Sequence, residues 1–195
     1  MANARDLGGV PLAPSRTVAC GVVLRGPSLA NLSADACADV ARLGLATVVD
    51  LRSDAERVAA PDDACVGVRA VAAPLPIPYD VSPADYLTDF DTDDSIAKVF
   101  DTLADAAAYP VYLHCTFGRD RTGVVAAAVL LALGASRDDI MQEYELSAPS
   151  VGAFPDSLAA VLDEIDARGG IDAALATKGV SAADLTALRR RAAVP

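Results

Sequence analysis

The chain has one histidine in 195 residues, and its four cysteines, Cys20, Cys37, Cys65 and Cys115, form no C-x2-C pair. A structural zinc site draws its four ligands from such pairs and from further histidines. Neither zinc nor a small disulfide scaffold is therefore expected, and the cysteines read as free thiols in a reducing compartment. Cationic side chains are also scarce, with 16 Lys and Arg against 27 Asp and Glu and a formal net charge of -11. Nucleic acid and anionic membranes are bound through clusters of lysine and arginine, so neither is an expected partner. The one basic run, Arg189 to Arg191, closes a predicted helix, where the helix dipole favours cations. No charge-free apolar stretch approaches the roughly 20 residues of a bilayer span. The opening MANARDLGGVP lacks the basic start and apolar core of a signal peptide. Together these absences predict a soluble cytoplasmic protein, monomeric or weakly dimeric, that works without metal or cofactor.

Internal repeats and low-complexity linkers are missing too. With 53% hydrophobic residues the chain can bury one good core, so residues 1–195 read as a single domain. Thr17 to Gly26 reads as a strand or hairpin, and a helix follows from about Ser33, an N-cap residue, to Arg42, stopped by Gly44. LATVVDLR, Leu45 to Arg52, is an apolar run of strand length that ends in charge, as a buried parallel strand opening on solvent would. Val66 to Pro78 carries another strand, and an acidic segment leads into a helix ending near Ala108. YPVYLHC, Tyr109 to Cys115, is a continuous apolar strand. VVAAAVLLALG is a helix apolar on all sides, hence central, closed by Gly134. Three more helices fill the remainder, with capping serines at Ser136 and Ser181. Strands alternating with helices, then a helical C-terminal third, predict an α/β fold: a short, mainly parallel twisted sheet flanked by helices.

Between the last strand and the central helix lies HCTFGRDRTG, His114 to Gly123. A strand that enters a short glycine-containing loop and then a helix aims the loop amides of Thr116, Phe117, Gly118 and Arg119, with the helix N-terminus, at one spot that suits an anion. Cys115 opens the loop in that positive field, which favours the nucleophilic thiolate. Arg121, six residues on, presents a planar fork of donors for a phosphate. Cys-x5-Arg is therefore equipped for attack on phosphorus, the sulfur in line and the amides and arginine on the equatorial oxygens. Gly118 lets the loop turn and Gly123 permits close helix packing. The Thr122 hydroxyl is placed to assist departure of the sulfur, and His114 to orient the loop from the opposite side of its strand.

The motif resembles the signature loop of cysteine-dependent, protein-tyrosine-phosphatase-like phosphatases. It resembles in particular the bacterial branch similar to mycobacterial protein tyrosine phosphatase B, with HCxxGKDRTG. RDLGGV at Arg5 to Val10, LRGPSL at Leu24 to Leu29, LGLATVVDLRSDAE at Leu43 to Glu56 and YELS at Tyr144 to Ser147 extend the resemblance over most of the chain. It implies the cysteine-phosphatase fold, Cys115 as nucleophile, Arg121 as phosphate clamp and Asp120 as general acid. Physical reasoning alone ranks Asp120 with Asp50, because Asp50 ends a parallel strand, where ligands bind. Arg52 would add charge to the same crevice. Against direct substrate contact by Asp50 and Arg52 stands a salt-bridge network of Asp50, Arg52 and Glu56 that supports the loop. Arg119 replaces the family lysine, and only the stretch from about Pro78 to Phe100 is available for a lid, in which Tyr86 and Phe90 share a helix face.

The expected substrates are protein phosphotyrosine or dual-specificity phosphoesters. The alternative is a small phosphorylated metabolite of nucleotide, sugar or inositol type. A phosphate-binding pseudophosphatase is the rival from another class, although such proteins lose the cysteine, arginine or acid that this chain keeps. An arsenate reductase would need relay cysteines near Cys115, and a rhodanese-like sulfurtransferase would lack the R-T-G ending.

Overall fold

The computed structural model describes residues 2–63, 66–76 and 80–195. Among these residues the strands are β1 (Arg5–Asp6), β2 (Pro11–Leu12), β3 (Arg16–Val18), β4 (Val23–Gly26), β5 (Thr47–Asp50), β6 (Arg69–Ala72), β7 (Val111–His114) and β8 (Ala193–Val194). They make two sheets. The larger has the order β1-β4-β7-β5-β6, with β4, β7, β5 and β6 parallel and β1 antiparallel at the edge. The smaller, β2-β3-β8, is antiparallel. Every residue of β4, β5 and β7 is buried, which is why these segments read as continuous apolar runs. The strand expected over Thr17 to Gly26 is split between the two sheets by a turn at Cys20 and Gly21, where Gly21 takes φ +70°. Cys20 is thus exposed in a turn.

The helices are α1 (Ala34–Arg42), α2 (Asp54–Ala59), α3 (Pro83–Phe90), α4 (Asp93–Ala104), α5 (Asp120–Leu133), α6 (Arg137–Glu145), α7 (Ala148–Val151), α8 (Pro155–Ala167), α9 (Ile171–Ala176) and α10 (Ala182–Ala192). One side of the sheet carries a small core of Leu24, Leu29, Val40, Leu45, Val48 and Tyr112 beneath α1. The main core is built around α5, which is buried along its whole length except Leu131. Its alanines, valines and glycine let several helices pack on it at once. At Gly123 a Cβ would come within 2.8 Å of the Tyr144 ring on α6, so this close packing admits only glycine. Ser33, Ser136 and Ser181 cap their helices as expected, and Gly134 closes α5 at φ +99°. The sequence reading passed over α2, although Ser53 and Glu56 form a complete capping box at its start.

Helix α3 falls where a lid was considered, but Tyr86, Asp89 and Phe90 are buried and the helix packs on α5 and α8. It is a wall of the globule. Pro78, the expected start of that segment and end of the strand now seen as β6, lies outside the described residues, as does Cys65. Cys37 is disulfide-bonded, which corrects the expectation of four free thiols and removes the basis for inferring a reducing compartment. Cys20 and Cys115 are free. Among the described residues no helix is long and apolar enough to cross a membrane.

Candidate active site

Parallel pairing sets the position of the loop. Gly26 and Asp50 both lie in register with His114, so three neighbouring strands end at one level and the Cys115 loop leaves the sheet between them. The C-terminal edge of a parallel sheet is where ligands are held. Gly118 takes φ +69°, and a Cβ there would collide with the backbone of Gly26 and Pro27, so the turn requires glycine twice over. The loop is braced from behind. Fully buried Arg25 donates to Gly118 O at 2.7 Å and to Glu143 Oε2 at 2.7 Å, Arg5 donates to Glu143 Oε1 at 2.6 Å, and Asn3 donates to Phe117 O at 2.9 Å. The loop carbonyls are thereby occupied. Among the described residues the N–H groups of Thr116, Phe117, Gly118 and Arg119 donate to no protein acceptor, as a nest awaiting an anion would leave them.

A cavity of about 190 Å³ lies over the loop, lined by Glu56, Val81, Cys115, Thr116, Phe117, Arg119, Asp120 and Arg121. Cys115 is buried at its base. Arg121 gives both terminal nitrogens to Glu56, NH1 to Oε2 at 2.7 Å and NH2 to Oε1 at 2.8 Å, while Thr116 Oγ1 donates to Glu56 Oε1 at 2.7 Å. The Arg121 hydrogen bonds, partly opposed by burial and helped by Thr116, hold the Glu56 carboxyl far below the usual carboxylate range. Among the described residues Arg121 Nε has no partner. The guanidinium is thus fixed along one edge and keeps a donor for a ligand.

On the other side Asp120 accepts from Tyr86 OH at 2.6 Å and from Arg119 Nε at 2.8 Å at Oδ1, with Arg119 NH2 at 3.2 Å from Oδ2. Tyr86 OH also meets Tyr144 OH at 2.7 Å, and Tyr144 OH accepts from Phe154 N. Burial first, and then the charge of Asp120, push the Tyr86 phenol far up, so it stays a donor. Arg119 bonds Val151 O and stacks 4.5 Å from the Phe154 ring centroid. Both cavity arginines are therefore paired with carboxylates. Phe117 stands at the mouth, 54% exposed. Thr122 is fully buried, its hydroxyl has no partner, and it does not line the cavity.

Asp50 and Arg52 are placed elsewhere. Arg52 is buried, chelates Asp50 through Nε and NH2, and reaches Asp62, Ser28 Oγ and Ala60 O. It lines a neighbouring cavity with Ser28 and Asn31 that meets the first at Glu56 and Thr116. Asp50 and Arg52 pair as in the salt-bridge alternative, but Glu56, expected in the same network, pairs with Arg121 instead, and neither Asp50 nor Arg52 lines the cavity over Cys115. His114 joins the same network: its Nε2 lies 3.1 Å from Asp62 Oδ2 without meeting hydrogen-bond geometry, and Nδ1 is 3.1 Å from Cys115 O. Asp50, Asp62 and His114 bring their ligand atoms within 4.8 Å, but the Arg52 guanidinium already bridges the two carboxylates. A cation there would face a resident one. Glu56, Tyr86, Arg25 and Glu143 were absent from the candidate site residues. The S-x-x-E box marked Glu56 locally, while the others carry no local signal.

The sequence model of the tyrosine phosphatase family matches residues 1–193. A Cupriavidus necator protein that bears the name of a tyrosine-protein phosphatase is 33% identical over 164 residues, 74% of this chain and 59% of that protein. The triple specificity protein phosphatase PtpB of Mycobacterium tuberculosis is 52% identical over 46 residues, 24% of this chain and 17% of its own. The chain thus matches well under two thirds of the length of these curated relatives. Among solved structures, the core catalytic domain of the PP-IP phosphatase SIW14 from S. cerevisiae superposes with a TM-score of 0.53 at 14% identity, over 90% of this chain and 96% of that one. That likeness is one of fold.

Proposed function

The chain belongs to the tyrosine phosphatase family, and on that premise we propose that residues 1–195 form one catalytic domain, a cysteine-dependent phosphatase that cleaves phosphate monoesters through a cysteinyl-phosphate intermediate. Cys115 Sγ attacks phosphorus in line, the bond to the ester oxygen breaks, and Asp120 supplies the proton that the leaving oxygen needs. Water then gives a proton to the Asp120 carboxylate and attacks the cysteinyl-phosphate, and the sulfur departs as thiolate; the Thr122 hydroxyl, unpartnered among the described residues and outside the cavity, has no contact through which to assist. The amides of residues 116–119 and Arg121 hold the equatorial oxygens throughout. The observation that carries this reading is the buried Cys115 beneath a cavity whose loop amides and Arg121 Nε have no protein partner. Asp120 lines that cavity and Asp50 does not, which favours Asp120 as the acid.

Protein phosphotyrosine and other singly charged-site esters are the proposed substrates. Arg119 and Arg121 are each neutralised by a carboxylate, and exposed Phe117 offers an apolar edge at the mouth. Such a cavity supplies charge for one phosphoryl group and a surface for an aryl leaving group, and among the described residues that line it no further free cation is left for a polyphosphate. Turnover of p-nitrophenyl phosphate that disappears in Cys115→Ser tests the reaction; Cys115-independent release, or phosphate binding without release, overturns it. A kcat/KM panel of phosphotyrosyl and phosphoseryl peptides, inositol phosphates, nucleotides and sugar phosphates tests the substrate. Preference for a small metabolite would replace the phosphoprotein reading. The mechanism uses no metal, so activity persists in chelators.

A further inference from the structure

Asp89 on α3 is 1% exposed, and among the described residues neither of its carboxylate oxygens has a hydrogen-bond partner. Buried carboxylates are ordinarily paired, because an unpaired charge in a low-dielectric interior is costly enough that the group neutralises instead. The surroundings of Asp89 sharpen this. Its helix packs on α5 and α8, and its charge is felt by Arg121 and Asp120 at the start of α5 and by Asp85 on its own helix. Tyr86, one turn away, is a fixed donor to Asp120 and is joined to Tyr144 of α6. The buried residues of α8 are uncharged, its Asp156, Asp163 and Asp166 are exposed, and Glu164 is paired with Arg168. Arg121 is the single cation in this set, and Glu56 already holds it.

We propose that Asp89 is a positioning residue for the anion site: its uncharged carboxyl leaves the field of Arg121 to a bound dianion, and its carboxylate weakens that binding. The inference rests on the loop being the phosphate site of the proposed phosphatase. Burial, opposed by the charge of Arg121 and helped by those of Asp120 and Asp85, lifts the Asp89 carboxyl to about 8. The switch between the two forms therefore falls in the working range. A dianion in the loop and a charge on Asp89 oppose each other, and the coupling is reciprocal: ligand must raise the Asp89 pKa as far as ionised Asp89 weakens the ligand.

Sulfate is a suitable probe because its charge is constant from about pH 6 to about pH 9.5, and Cys115→Ser removes the competing titration of the thiol. Calorimetric sulfate binding to Cys115→Ser should weaken about tenfold as pH rises through 8, whereas Cys115→Ser/Asp89→Asn should show a flat profile. Asparagine reproduces the size and neutrality of the protonated acid, and Asp89→Ser supplies a second neutral variant with the same expected profile. Parallel weakening with and without Asp89, a flat profile in Cys115→Ser itself, or no sulfate binding at pH 6 overturns the proposal. Turnover of p-nitrophenyl phosphate by protein that retains Cys115 separates the two readings. A pH-dependent sulfate profile without turnover sinks the enzyme alone, and turnover with a flat profile sinks the role of Asp89 alone.

Discussion

The two walls of the cavity treat charge differently. On the α2 side every carboxylate near the loop has a cation: Glu56 chelates Arg121, and Asp50 and Asp62 share Arg52. On the α3 side Asp120 is held by Arg119 and Tyr86, but Asp89 behind it has no partner. Pairing fixes the geometry of a carboxylate, whereas a buried one without a partner is pushed towards its neutral form. The first wall holds the proposed phosphate clamp, and the second carries the unpaired acid.

The largest effect should come from Asp120, where the walls meet. Asp120→Asn is expected to lower kcat/KM for aryl esters with poor leaving groups by about 100-fold or more, and far less for good ones. Equal loss across the series would move the proton donor elsewhere. Next is the α2 wall. Glu56→Gln frees Arg121 from its bidentate partner and should cost about 10-fold to 100-fold in kcat/KM and about 2 kcal/mol of stability. Glu56 has a depressed folded pKa, so its contribution is complete above the unfolded carboxyl value of about 4.3 and is lost as pH falls below it. Urea titrations from about pH 6 to about pH 2.5 should therefore show a steeper acid limb in the parent than in Glu56→Gln; identical limbs would mean the pair is not held in solution.

Tyr86→Phe removes one donor from Asp120 and should reduce kcat by about tenfold, with KM little changed. A KM effect of the same size would place Tyr86 in substrate binding instead. The last expected effect is on the stability of Asp89→Asn. Its carboxyl is raised in the folded state, the reverse of Glu56, so the native chain binds the extra proton between about pH 4 and about pH 8 and wild-type stability declines across that window. The variant should melt a few degrees higher at pH 8 and converge with the parent near pH 4. A constant offset at all pH values would assign the gain to packing and not to charge.

Much of this arrangement was legible in the chain. The alternation of apolar runs and caps marked α1, β5, β7, α5 and Gly134 because each depends on neighbours a few residues away. The split of Thr17 to Gly26 between two sheets was not legible, since strand pairing is chosen by distant partners. The same distinction divides the site. RDLGGV, LRGPSL and YELS marked a resemblance as separate segments, yet Arg5 and Arg25 from the first two and Glu143, just before the third, form one brace behind the loop, across separations of 93 to 138 residues. Asp50 and Arg52 looked as eligible for the crevice as Asp120 until their mutual chelation turned them away from it.

The amino-acid sequence by itself determined the proposed reaction machinery: a sulfur, four amides and an arginine within one contiguous strand-loop-helix passage, where local geometry suffices to bring them together. The tertiary structure alone decided which carboxylate meets which cation, and left Asp89 with none. Ion pairing and burial depend on residues far apart in the chain, so the charge of the α3 wall follows from packing.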